Sequence, residues 1–243
     1  MTRILIVGGS DAGISAALRI REVDSSVEVA VLLRDAYPNF SICGLPFLIG
    51  GQVADPARLA HRNLDELQAA GLEILPCHLA IGVEAASRTL EAIDPDGQPR
   101  GFHWDQLLLA TGARPVRPSL PGIERLGVFS LRSMRDGLRL QGFLELRQPR
   151  RAVIVGGGYL GLEMAEALSA RGLEVTLLER NPSLLSTVHP SLARMVEEEL
   201  ERRGVRVHTG VTVKAIDDGS GSLRVLGAVS YTHLTLPTTC TPC

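Results

Sequence analysis

The sequence predicts an α/β protein made of two copies of one strand-turn-helix-strand unit, and three observations carry that prediction. RILIVGG at Arg3 to Gly9 and RAVIVGG at Arg151 to Gly157 are matching apolar runs that end in glycines. Each is followed by an Ala-rich helical stretch, GISAALRIREV in the first copy and GLEMAEALSARG in the second. Each copy then closes with another apolar run, VEVAVLL or LEVTLLE. A strand, a tight glycine turn, a helix and a second strand within about 30 residues make the Rossmann-like βαβ unit that holds a dinucleotide, so two units imply two dinucleotides.

In the first copy the turn is Gly8-Gly9-Ser10-Asp11-Ala12-Gly13. Glycines let the backbone approach a pyrophosphate, whose charge is met by the unpaired N–H groups and positive dipole of the helix start. Gly8, Gly9, Ser10, Ala12 and Gly13 are the candidate contacts, although serine stands where the middle glycine is expected. The strand after the helix ends at Leu33, where a ribose-binding carboxylate is expected, and Asp35 follows two residues on. Asp35 either reaches the ribose or is an ordinary loop acid, and the residues leave both readings open. Arg19 and Arg21 on the first helix could meet an anion, but arginines on an exposed face are ordinarily solvated.

Next comes NFSICGLPF, Asn39 to Phe47. Pro46 suits the first turn of a short helix over Phe47 to Ile49. Asp55-Pro56 starts a helix in an Ala- and Leu-rich stretch that ends at Gly71, and Asp94-Pro95-Asp96-Gly97 is a turn between two strands. Cys77 lies in the strand-like run LEILPCHLAI and reads as core. LLLATGARP, Leu107 to Pro115, precedes a connecting segment from Pro118 to Pro149 that opens with Pro-rich loop chemistry. The second turn is complete, with Gly156, Gly158 and Gly161 in GxGxxG spacing and Glu179 placed to accept from a ribose 2'-OH. Arg180 beside it could contact a 2'-phosphate, so NAD is favoured over NADP without being selected outright.

The bulk numbers narrow the classes. A chain of 243 residues, 45% hydrophobic, can bury a sizeable core, and a net charge of -2 without a dense basic block excludes a nucleic-acid partner. No apolar stretch approaches the ~18 residues of a membrane span and no leader is legible, which predicts a cytoplasmic protein with reduced thiols and no membrane partner. The six histidines are scattered without ligand spacing, so no metal site is proposed.

The order of these pieces resembles the pyridine nucleotide-disulphide oxidoreductase family: an N-terminal glycine turn, a Cys-Gly-Leu-Pro, an Ala-Thr-Gly segment, and GGGYLGLEMAE. It is most similar to the single-cysteine branch, which includes coenzyme A disulphide reductases and NADH oxidases and peroxidases. The resemblance implies a glutathione-reductase-like fold, with FAD in the first unit and NAD(P)H, NADH favoured, in the second. It also implies Thr111 and Gly112 as FAD contacts, Tyr159 as the shield over the flavin face, and Glu163 near the same pocket. The implied domains are residues 1–117 for the first FAD segment and 118–228 for an incomplete NAD(P) domain. The resemblance further implies a truncated chain, whose full-length form dimerises through a C-terminal domain absent here.

Taken alone, a lone intracellular cysteine is a small buried hydrophobe. Within this frame Cys43 becomes the redox thiol, because a sulphur at a helix start gains stabilisation of its thiolate from the helix dipole. Members with an internal dithiol carry a second cysteine five residues on, and Leu48 stands there. The inferred path runs from NAD(P)H through FAD to Cys43 and on to a small-molecule disulphide or persulphide. An NADH oxidase and a non-catalytic nucleotide-binding fragment are the alternatives. Two departures matter: Asp11 replaces the histidine that oxidases and peroxidases carry in the first turn, and Ile42 replaces the asparagine usual in coenzyme A disulphide reductases.

From Val229 the composition breaks: VSYTHLTLPTTCTPC holds five Thr, two Cys and no charge. Residues 229–243 are expected to be a non-native tail, since codons for Val229 to Thr238 can be written as read-through into a transposase-library adapter. On that expectation the pair Cys240 and Cys243 carries no redox meaning.

Overall fold

Unbroken apolar runs such as RILIV and EVAVL suit strands covered on both faces, and they form the centre of a parallel sheet. The computed structural model describes residues 1–219, 222–229 and 233–237. The chain divides into two units, one of Met1–Ile42 with Asp55–Arg114, the other of Cys43–Ala54 with the chain from Pro115 onward.

The first unit opens with β1 (Arg3–Val7), α1 (Asp11–Val23) and β2 (Glu28–Leu32). The chain then supplies α2 (Leu45–Ile49) to the other unit and returns with α3 (Leu64–Ala69) and β3 (Leu72–Leu75). Strands β4 (Leu79–Glu84), β5 (Thr89–Ile93) and β6 (Pro99–His103) form an antiparallel meander, and β7 (Gln106–Leu109) completes the parallel sheet in the order β3-β2-β1-β7. Side chains alternate across a strand, so Ile6, Val29 and Val31 cluster with Ile14 and Ala17 of α1 and Leu67 of α3. Their neighbours Leu5, Val7, Ala30 and Leu32 cluster instead with Leu90 and Ala92 of the meander.

Three local expectations meet the structure here. The helix expected from Asp55–Pro56 to Gly71 is two pieces: a 3-10 turn, Pro56–Leu59, capped by Asp55, and then α3 with its own Asn63/Glu66 capping box. Asn63 competes for the backbone amides and starts a new helix. Asp94-Pro95-Asp96-Gly97 is the β5–β6 turn as expected. The Asp94 carboxylate accepts from Arg100 Nε at 2.9 Å and from the amides of Gln98 and Asp96 at 2.8 and 3.0 Å. The Arg100 bond first, and those amides next, hold its carboxyl below the usual range. Cys77 is not core: Pro76 cannot donate to a ladder, the strand run stops there, and Cys77 is exposed at φ 58° in the turn to β4.

The second unit repeats the plan. It contains α4 (Met134–Arg147), β8 (Arg151–Val155), α5 (Tyr159–Ala170), β9 (Glu174–Leu178), α6 (Pro190–Arg202) and β10 (Arg206–His208). A second meander follows as β11 (Val211–Gly219), β12 (Ser222–Val229) and β13 (His233–Pro237). The parallel order is β10-β9-β8. Val175 and Leu177 of β9 cluster with Met164, Ala165 and Leu168 of α5 and Leu200 of α6, whereas Leu178 clusters with Val211 and Val225 of the meander. Helix α4, within the segment read as a connection, begins at a Ser133/Asp136 capping box. Segment Cys43–Ala54, which the sequence reading kept in residues 1–117, packs with this unit through Ile49, fully buried among Leu144, Met164 and Leu168. Cys240 and Cys243 lie outside the described residues.

Candidate active site

In the first turn Gly8 adopts φ +123°, and its amide donates to the Leu32 carbonyl at 2.8 Å. A Cβ at Gly8 would overlap the Ala110 carbonyl oxygen, and one at Gly13 would overlap that of Gly8, so only glycine lets α1 start this close to β1. Ser10 is the N-cap of α1, yet its hydroxyl makes no capping bond. The amides of the first helical turn, Ala12 among them, therefore have no side-chain acceptor and suit an anion. Thr111 and Gly112 are exposed just beyond β7, and the Thr111 nitrogen is 3.4 Å from where a Gly8 Cβ would stand. The structure thus brings the Ala-Thr-Gly segment to the first turn.

Leu33 is buried under Gly9, whose added Cβ would come within 3.0 Å of the Leu33 Cβ. Asp35 is half-buried and its Oδ1 accepts from the Tyr37 amide at 3.0 Å. Two residues that the sequence reading did not single out meet Asp11 at the head of α1. His61 Nε2 is 4.0 Å from its Oδ1, and Asn39 donates from Nδ2 at 3.4 Å. Asn39 is 5% exposed at φ 54°, and its Oδ1 has no partner among the described residues. No sequence spacing could have found His61, which arrives from a separate loop.

The second turn has the same skeleton. Gly156 adopts φ +114° and donates to the Leu178 carbonyl at 2.8 Å, and a Cβ at Gly161 would overlap the Gly156 carbonyl oxygen. Gly158 differs in kind: it caps α5, and a Cβ there would meet nothing within 4 Å. The fold does not require this glycine, and its missing side chain leaves open space at the helix start. Glu179 closes β9 with its carboxylate largely buried. Its Oε2 accepts from the Gly157 amide at 2.6 Å and its Oε1 from the Asn181 amide at 2.7 Å. Each oxygen keeps a further lone pair, so the carboxylate can tie the turn and still accept from a hydroxyl. Arg180 is exposed and has no ion-pair or hydrogen-bond partner among the described residues. Tyr159, 64% exposed, is the first residue of α5, and exposed Glu163 lies one turn later on the same face. Both turns have the chemistry a dinucleotide needs: uncapped helix amides suited to an anion in each, and in the second a largely buried carboxylate able to accept from a hydroxyl.

Cys43 is exposed in a 3-10 turn, Ile42–Gly44, that leads into α2. The helix begins at Leu45 rather than Phe47 and has five residues, so the end dipole available to the thiolate is little more than that of one turn. Leu45, Pro46, Leu48 and Ile49 are buried while Phe47 is exposed. Arg19 pairs with Glu22 at 3.1 Å, and Arg21 donates to the Val27 carbonyl at 2.8 Å, so both arginines of α1 have structural partners. Among the described residues no helix is long and apolar enough to cross a membrane, and no three His, Cys, Asp or Glu side chains converge on a metal site.

The family described as pyridine nucleotide-disulphide oxidoreductase matches residues 2–234. An NADH oxidase of Methanocaldococcus jannaschii is 31% identical over 207 residues, which cover 84% of this chain and 46% of that protein. The NAD(P)H coenzyme A polysulfide/persulfide reductase of Pyrococcus horikoshii is 29% identical over 202 residues, 82% and 44% of the two chains. The crystal structure of reduced CoADR-RHD from Bacillus anthracis superposes with a TM-score of 0.90 at 28% identity, covering 97% of this chain and 42% of that one. The chain spans about half the length of the curated relatives it matches.

Proposed function

Because the chain belongs to the pyridine nucleotide-disulphide oxidoreductase family, we propose that it is the cofactor-binding part of an enzyme passing electrons from NAD(P)H through FAD to Cys43 and on to a low-molecular-weight disulphide or persulphide. The observation that carries this reading is the second cradle, open at Gly158 and closed by Glu179, in the same unit as an exposed thiol. On this reading residues 1–117, apart from the Cys43–Ala54 segment that packs with the second unit, supply the first FAD segment, and 118–228 most of the nicotinamide unit. The amides of Gly8, Gly9, Ser10, Ala12 and Gly13 hold the flavin diphosphate, with Thr111 and Gly112 alongside and Asp35 near the ribose. Gly156, Gly158 and Gly161 hold NAD(P)H. Glu179 accepts from the 2'-OH, which favours NADH, and Arg180 is the group a 2'-phosphate would meet. Tyr159 covers the flavin face, with Glu163 one turn behind it.

The Cys43 thiolate attacks one sulphur of the substrate, expels the other half as a thiolate, and holds the remainder as a mixed disulphide. FAD, when bound, supplies the nicotinamide's electron pair that reduces this bond. Position 48 is a leucine, so no internal thiol competes for Cys43 there. The full-length enzyme is a cytoplasmic homodimer whose thiol pool stays reduced.

A second reading, with oxygen as acceptor, is supported by the likeness to an NADH oxidase. Cys43→Ser in the full-length protein separates the two. We expect NADH-dependent disulphide reduction to fall by about 10³-fold or more while NADH still binds. Undiminished disulphide reduction would overturn the proposal, and surviving NADH-dependent oxygen uptake would favour the oxidase.

A further inference from the structure

The helix that follows Cys43 is gripped by the helix that follows the second glycine turn. Helix α2 packs against both α4 and α5. On the α4 side, a Cβ at Gly137 would come within 2.6 Å of Leu45 Cδ2, so Leu45 lies directly against α4. On the α5 side, Ile49 is fully buried with Met164, Ala165 and Leu168, and a Cβ at Gly50 would be 3.2 Å from the Ala167 Cα. At the far end of α5, Arg171 turns back and donates from Nη1 to the Ile49 carbonyl at 3.0 Å. Carbonyls in the last turn of a helix lack intrahelical partners, and a guanidinium is a charge-assisted donor to one of them. One helix of 12 residues therefore has the glycine cradle at its N-terminal end and a grip on the cysteine helix at its C-terminal end.

We infer that Arg171 is a positioning residue for Cys43: it ties the exit of α2 to α5, so that a dinucleotide seated at the head of α5 steadies the segment carrying the thiol. The inference rests on the reading that the Gly156–Gly161 turn holds NAD(P)H. A ligand can shift a distant group only through a difference in how it couples to the two, and here the connecting body is a single packed helix. A dinucleotide held at Gly158 damps the motion of α5, the damping passes through Arg171 and Ile49, and Cys43 samples fewer reactive geometries.

The test reads the thiol without turnover. In the flavin-loaded full-length protein, Cys43 is alkylated with iodoacetamide with and without saturating NAD⁺, and the mass of the Cys43 peptide reports the rate. We expect NAD⁺ to slow the wild-type reaction by about threefold or more. In Arg171→Met the ratio falls to about one while NAD⁺ affinity stays within about twofold, and Arg171→Lys, which keeps a charged donor, recovers most of the protection. Protection in Arg171→Met equal to wild type would mean that bound NAD⁺ merely shields the thiol, and would overturn the inference. So would a wild-type rate that NAD⁺ leaves unchanged, or loss of protection that Arg171→Lys fails to restore. Failure of the disulphide reductase reading shows elsewhere, as Cys43→Ser activity, and leaves the alkylation ratios standing.

Discussion

Gly158 and Gly161 are three residues apart in one turn and answer to different demands. A side chain at Gly161 would strike the Gly156 carbonyl oxygen, whereas one at Gly158 would enter open space. Gly161→Ala is therefore expected to destabilise the protein by about 1–3 kcal/mol through overpacking, seen as a lowered thermal midpoint. Gly158→Ala is expected to cost under about 1 kcal/mol as a change of N-cap, yet to weaken NADH binding about tenfold or more, measured by titration. Equal loss of stability in the two variants would show that the space at Gly158 is structural. Glu179 joins both demands, since its carboxylate organises Gly157 and Asn181 before any ribose arrives. Glu179→Ala leaves two amides without that acceptor and is expected to cost about 1–3 kcal/mol for each that stays dry, while Glu179→Gln keeps one acceptor and loses less. Comparing their denaturation midpoints without nucleotide checks this.

At the scale of elements, the β5–β6 hairpin has a built-in acid limit. Arg100 and two amides lower the Asp94 carboxyl below its unfolded value. Its contribution to stability is thus fully present above the unfolded value of ~3.9 and is lost as pH falls through the lower folded one. Arg100→Ala should move the start of acid unfolding of this hairpin to higher pH, read by hydrogen exchange across Thr89–His103. Helix α4 depends on its box, and Ser133→Ala is expected to cost about 1 kcal/mol, read from the thermal midpoint. Elements of this kind differ in how far the residues announce them. The two βαβ units were legible because their signals are local: an apolar run, a glycine turn and a helical period. The Asp94 turn was legible for the same reason. Cys77 was not, because its neighbours suggest a strand and only Pro76 interrupts the ladder. Helix α4 was hidden behind a Pro-rich opening. The bond between Gly157 and Glu179 joins positions that sequence spacing alone had tied only to a ligand.

For the whole molecule, the feature least visible in the residues is the allocation of Cys43–Ala54. Nothing local separates this segment from the first unit, and only its packing on α4 and α5 assigns it to the second. Removing Ile49 from that core and Leu45 from its contact with Gly137 of α4 would leave two large vacancies, each worth about 2–5 kcal/mol, against a total stability of about 5–15 kcal/mol. A fragment beginning at Pro115 is therefore expected to lack cooperative unfolding by circular dichroism, and a synthetic peptide of residues 43–54 to restore part of it. Cooperative unfolding of the fragment alone would refute this. The backbone crosses from one unit to the other after Ile42, after Ala54 and after Arg114. An engineer who grafts a foreign second unit at the last crossing alone would strand its counterpart of Cys43–Ala54 upstream, so a working chimaera has to be recombined at all three seams.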